Sequence, residues 1–211
     1  MLKRKILLFI SFVLLLMPFS KGQDVIWLMN GRTMDGKVVT INESQVIYES
    51  KKKNKTIIKE LETYRIFSIS YGDGHTQILY TQDTIRGDYF SASEMHYFVM
   101  GEQDAYNYHR APGATLIGFT LAATGGFFLA GDFLLLLVPF VSSGVHTIPG
   151  IKIRKKRVSN VEYLKEITYI QGYKRVAKNK RIQNAIKGSL IGVLAGVATF
   201  HILNNNNLIG D

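Results

Sequence analysis

The chain has no cysteine, only four prolines and a single tryptophan among its 211 residues. Lack of cysteine excludes disulfides, thiolate metal sites, a cysteine nucleophile and a lipidated N-terminal cysteine. The lipoprotein route to a bacterial membrane is therefore closed. Also missing are HExxH, GxSxG, a phosphate loop and GxGxxG, the short motifs that carry metalloprotease, hydrolase and nucleotide chemistry. The five histidines, at positions 75, 96, 109, 146 and 201, have no ligand spacing. Asp104 and His109 share a polar stretch but stand about 140° apart around a helix axis, too far round to act as an acid–base pair. The expectation is a protein that is not an enzyme and holds no metal or cofactor.

What is present is hydrophobicity and positive charge. Hydrophobic residues make up 46% of the chain and the formal net charge is +10. Divided along the chain, that charge loses its nucleic-acid look. Residues 1–23 carry four basic groups, residues 24–112 ten basic and twelve acidic groups, residues 113–149 only Asp132, and residues 150–211 twelve basic and three acidic groups. The excess flanks apolar segments, where basic side chains meet anionic lipid headgroups and bias orientation. Membrane lipid is the expected partner, and nucleic acid is not.

Residues 1–22 read as a signal peptide: Lys3-Arg4-Lys5, an apolar run from Ile6 to Phe19, then small residues at Ser20 and Gly22 that suit cleavage before Gln23. An uncleaved signal anchor is the alternative. Either way the following chain leaves the cytoplasm.

Residues 23–95 read as a small β domain. Short apolar, β-branched runs cover Val25–Met29, Lys37–Ile41, Gln45–Glu49, Lys55–Lys59, Tyr64–Tyr71 and Gln77–Tyr80. Asn30-Gly31, Asp35-Gly36, Asn42-Glu43-Ser44 and Gly72-Asp73-Gly74 supply turn chemistry. Phe67, Ile69 and Tyr71 alternate with Ser68 and Ser70, so one face of that strand is apolar. Five or six such strands are enough to close a small barrel. Lys51-Lys52-Lys53-Asn54-Lys55 reads as a solvated hairpin tip.

The remaining 96–211 read as a helical membrane domain with apolar segments near 113–131, 133–149 and 186–203, making the fold class α+β. Residues 97–126 and 169–196 share an arrangement: Phe98 and Gly101 before a polar stretch and an apolar helix, then Tyr169 and Gly172 before another. Gly118, Ala122, Gly126 and Ala130 recur every fourth residue, as do Gly188, Gly192 and Gly196, each set on one helix face. In lipid such small residues let helix backbones approach closely, so these seven are the expected helix-packing residues. Lys152, Arg154, Lys155, Lys156 and Arg157 are the expected lipid-headgroup contacts. Tyr163, Tyr169 and Tyr173, with neighbouring lysines and arginines, suggest an amphipathic helix lying in the membrane interface.

Two topologies stay open for 113–149: a hairpin turning at Gly131-Asp132, or one crossing that ends at Pro139. A hairpin keeps Asp132 at a membrane face. A single crossing better obeys the positive-inside tendency for Lys152–Lys187.

Asp24-Val25-Ile26-Trp27-Leu28, Asn30-Gly31, Gly36-Lys37-Val38, Val46-Ile47-Tyr48, Ile66, Ile69, Tyr71 and Gly74 resemble the small β domain of exported membrane proteins of the Bacteroidota. The opening strands are also similar to SH3-like and Sm-like barrels. Gly101-Glu102-Gln103-Asp104-Ala105, Tyr108, Pro139, Tyr169, Gly172-Tyr173, Ala177 and Lys180 extend the resemblance into a C-terminal glycine-rich membrane region. It implies a fold and an envelope location, and carries over no activity. The expected protein is an extracytoplasmic interaction module on glycine-zipper helices in the cell membrane, the inner membrane in particular. Its expected partners are lipids, an envelope protein and further copies of itself. A subunit of a transport or pore-forming assembly is the alternative.

Overall fold

The computed structural model describes residues 22–53, 55–85, 87–145, 150–206 and 208. The signal peptide expected at 1–22 lies outside them apart from Gly22, as do Asn54 and His146. Two compact units emerge: one comprises 33–79 and the strand residues before 28, the other residues 28–32 and the chain from Tyr80 onward.

The first unit is an antiparallel sheet of six strands: β1 (Asp24–Leu28), β2 (Thr33–Ile41), β3 (Gln45–Lys52), β4 (Lys55–Glu62), β5 (Ile66–Ser70) and β6 (Thr76–Ile78). Their order is β4-β3-β2-β1-β5-β6. The expected barrel is corrected here: the sheet is open. β4 and β6 are its edges, and β6, three residues long, is too short to offer β4 a ladder. Asp35-Gly36 is no turn either. Gly36 pairs with Asp24 in mid-strand, and a Cβ there would lie 2.6 Å from the Glu49 carbonyl oxygen. The glycine serves close backbone approach.

Ile26, Val46, Tyr48, Ile66, Phe67 and Ile69 form the sheet's buried apolar set. Ser68 is buried beside Phe67 and Ile69, so β5 is covered on both faces and its alternation does not mark a solvated side. Asp24 ties the first strand to the second and to the β5–β6 turn, its carboxylate accepting from Val38 N at 2.8 Å and Gly72 N at 3.0 Å. Lys53, at the β3–β4 tip, takes a left-handed φ of 56°.

The second unit is helical. α1 (Ala92–Tyr108) starts at a capping box in which Ser91 and Glu94 exchange side-chain to backbone hydrogen bonds, satisfying two of the helix's orphan N–H groups. α2 (Pro112–Phe128) follows after a break at 109–111, with Pro112 at the first turn and an axis bent 66° from α1. Proline suits that position because it lacks the N–H that would go unpaired. Gly131 at φ 89° turns the chain, and Asp132 caps the 3-10 turn Phe133–Leu137 by accepting from Leu134 N at 2.9 Å. α3 (Val138–Val145) comes next, then a segment with 3-10 turns at Lys155–Arg157 and Val161–Lys165. α4 (Ile167–Asn205) is one continuous helix of 39 residues, about 58 Å long. One 113–139 helix is ruled out, because α2 stops at Phe128 and the chain turns.

Candidate functional site

The helical unit divides into a polar half and an apolar half, both organised on α4. In the polar half, Gly101 of α1 and Gly172 of α4 sit where the backbones touch. A Cβ on Gly101 would overlap the Tyr169 carbonyl oxygen, and one on Gly172 the Phe98 carbonyl oxygen. The two contacts are reciprocal: the glycine of each expected repeat meets the aromatic position of the other. The duplicated arrangement is thus a pair of packed partners.

That crossing buries charge. Glu102 is 2% exposed, with Arg175 at 3.3 Å as its ion-pair partner and its second carboxylate oxygen without a hydrogen bond. Burial outweighs the guanidinium and pushes the Glu102 carboxyl up to about 7. The folded unit therefore holds a proton that the unfolded chain releases near 4.5. Stability is expected to fall, by up to about 3 kcal/mol, as pH rises between those values. Denaturant unfolding at pH 5 and pH 8 checks this, and Glu102→Gln should remove the fall, leaving the opposite trend of the depressed His109 imidazole.

Asp104 is buried too, and collects three donors: Ser159 N and Oγ, both at 2.7 Å, and the Tyr169 hydroxyl at 2.6 Å. Tyr169 and Tyr173 are fully buried. This corrects the expected interfacial helix, because rings inside the α1–α4 core do not face lipid headgroups. Burial first, then the bond to Asp104, pushes the Tyr169 phenol far up, so it is a permanent donor. His109 packs edge-on against Tyr173. Burial, with Arg157, Lys180 and Arg181 nearby, holds the imidazole below its ordinary value. Lys180 Nζ donates to the Ala105, Tyr106 and His109 carbonyls at 3.1, 2.6 and 3.1 Å, closing the end of α1. Every partner here is internal, so the cluster is a structural lock between α1, the 159–165 segment and α4. Among the described residues no three His, Asp or Glu side chains gather as a metal set.

The apolar half pairs α2 with α4. A Cβ on Gly118 would lie 2.5 Å from the Ala185 carbonyl oxygen and one on Gly126 2.7 Å from that of Val193. Cβ atoms on Gly188, Gly192 and Gly196 would overlap the carbonyl oxygens of Thr115, Phe119 and Ala123. Ala122 is fully buried. Ala130 stands apart: it lies beyond the last residue of α2, in the turn before Gly131. The two stripes meet inside one chain, with helices running parallel, since 115, 119 and 123 meet 188, 192 and 196 in ascending order. Ser189 hydrogen-bonds to Ser142 of α3 and to the Gly118 carbonyl, tying the three helices together.

The outward faces of this half are apolar. Leu116, Phe128, Phe133, Leu136, Phe140 and Leu194 are each at least 66% exposed. α4 is long and apolar enough to span a membrane, and only 22% of its most apolar stretch is buried. Where the apolar half begins, basic groups collect. Lys152, Arg154, Lys155 and Lys156 are exposed, Arg157 donates to the Arg110 carbonyl at 3.2 Å, and Arg181 donates to the Gly150 carbonyl at 3.3 Å. The far end carries Asp132, His201 and Asn204 to Asn206 and no lysine or arginine among the described residues.

The sheet unit has its own concavity, about 540 Å³, lined by Asp24, Lys37, Glu49, Lys51, Thr56 and Tyr71 among others. Its charges are mixed and point to no single ligand. No protein-family model, curated protein or solved structure matches the chain.

Proposed function

We propose that the chain is a non-enzymatic envelope protein in which the helical unit is a membrane anchor and the β unit an extracytoplasmic interaction module. The observation that carries this reading is the exposed apolar surface of α2, α3 and the second half of α4. A core helix of a soluble protein hides such side chains, and contiguous exposed apolar surface of this extent seeks lipid or protein. α2 alone is about 26 Å long, close to the hydrocarbon thickness of a bilayer. The resemblance to exported Bacteroidota membrane proteins supports the same location.

The proposed topology follows from the parallel α2–α4 pairing. For two neighbouring helices to cross in the same direction, the chain between them must come back, so Phe133–Val145 is assigned the return path. The β unit and the basic segment 152–157 then share one side, and Asp132 and Asn205 the other. Because the chain has no native cysteine, single cysteines at Lys51, Lys155 and Asn205 give a clean accessibility map. In intact, oriented membranes an impermeant maleimide should label the first two alike and the third oppositely. Opposite labelling of Lys51→Cys and Lys155→Cys would refute this path.

A further inference from the structure

Between the Phe133–Leu137 turn with α3 and the second half of α4 runs a groove of about 730 Å³. Leu136, Pro139, Phe140, Ile186, Leu190 and Leu194 form its walls. Nothing polar lines it, and it extends about 12 Å along α4.

One end of the groove is cationic. Lys187 precedes Leu190 by three and Leu194 by seven residues, so all three share a helix face. It is exposed and has no hydrogen bond or ion pair among the described residues. A turn and a half earlier, Arg181 holds Gly150, the start of the exposed run containing Lys152, Arg154, Lys155 and Lys156. No acidic residue occurs from 150 to 161, and Glu162, the first, is already paired with Lys165. At the opposite end stand Asp132 and asparagines. The apolar walls and the one-ended charge together match an amphiphile with a negative head.

We infer that this groove seats one acyl chain of an anionic glycerophospholipid, with its phosphate at Lys187 and its headgroup among the basic side chains of 152–156. The inference rests on the membrane reading and names the lipid class that the anchor selects. A neutral zwitterionic lipid fills the groove equally well but gains nothing from the unpaired cations. A second copy of this chain would bring its own basic collar to the same level, and like charges oppose that docking.

The test is native mass spectrometry of the full chain in mild detergent with equimolar palmitoyl-oleoyl phosphatidylglycerol and phosphatidylcholine. Phosphatidylglycerol should be retained in preference. Lys187→Gln should reduce that preference about five-fold, the worth of one basic group near an anionic surface. Leu190→Trp, which fills the groove, should release both lipids, whereas Leu116→Trp on an outward face of α2 should release neither. Equal retention of the two lipids, or a preference untouched by Lys187→Gln, overturns the inference. Flotation with phosphatidylcholine liposomes separates this failure from the larger one. A chain that floats without headgroup preference loses only the lipid site, and a chain that stays in the aqueous fraction loses the membrane reading as well.

Discussion

Replacing Gly172 by valine is expected to lower the melting temperature of the helical unit by about 10 °C, for a loss of about 3 kcal/mol. The added Cβ falls on the Phe98 carbonyl oxygen, which belongs to the rigid backbone of α1 and has no rotamer by which to withdraw. α1 and α4 must therefore move apart, and the movement loosens Tyr169, Tyr173 and the buried Glu102. Gly101→Val should cost as much for the mirror-image reason. Gly113→Ala makes the decisive comparison. Nothing lies within 4 Å of a Cβ there, so alanine should leave stability unchanged or raise it by up to about 1 kcal/mol. Thermal melts in detergent that place all three variants together would remove the claim that the α1–α4 crossing is a backbone contact.

Asp104→Ala is expected to be a damaging polar substitution, at about 2–3 kcal/mol. It strands the buried Tyr169 hydroxyl, and an unmet buried donor costs about 1–3 kcal/mol, while the exposed Ser159 can turn its two donors to water. Tyr169→Phe removes only one of these bonds, leaves Asp104 its Ser159 contacts, and should cost about 1–2 kcal/mol. In the double variant the losses should fall short of additive, because the Tyr169 donor orphaned by Asp104→Ala is no longer there. Additive losses in denaturant titrations would mean that the two side chains do not depend on each other.

The sequence reveals the six strands, the α+β class and the four-residue spacing of small residues because each rests on local rules, the period of two, turn chemistry and the helical period. It does not reveal whether the sheet closes, since closure depends on pairing between β4 and β6, which no local pattern encodes. Asp35-Gly36 misleads for a related reason. The dipeptide has turn chemistry, yet its glycine answers to Glu49 on the neighbouring strand. Tyr169 and Tyr173 sit among basic residues, which is why they read as interfacial. Their burial follows from α1 lying on that face, and the sign available beforehand was Gly172 beside Tyr173. The lock itself had a readable start: Ser91 and Glu94 have capping-box spacing and mark the beginning of α1. Asp104 and Lys180 carry no such mark, because their partners lie 55 to 75 residues away.

The bend between α1 and α2 has a consequence for how the helices wind. Along α4, Gly172, Val176, Lys180, Asn184, Gly188, Gly192 and Gly196 form an unbroken series of fourth residues. All but Val176 have a specific partner in the α1–α2 segment, Asn184 through the Ala111 carbonyl. A step of four residues overshoots one helical turn by about 40°, so over six steps the seam drifts through about 240°, two-thirds of the way around the shaft. A straight partner would leave such a seam after a few turns. The break at 109–111 lets the partner follow it, and the pair winds as a short two-ply rope.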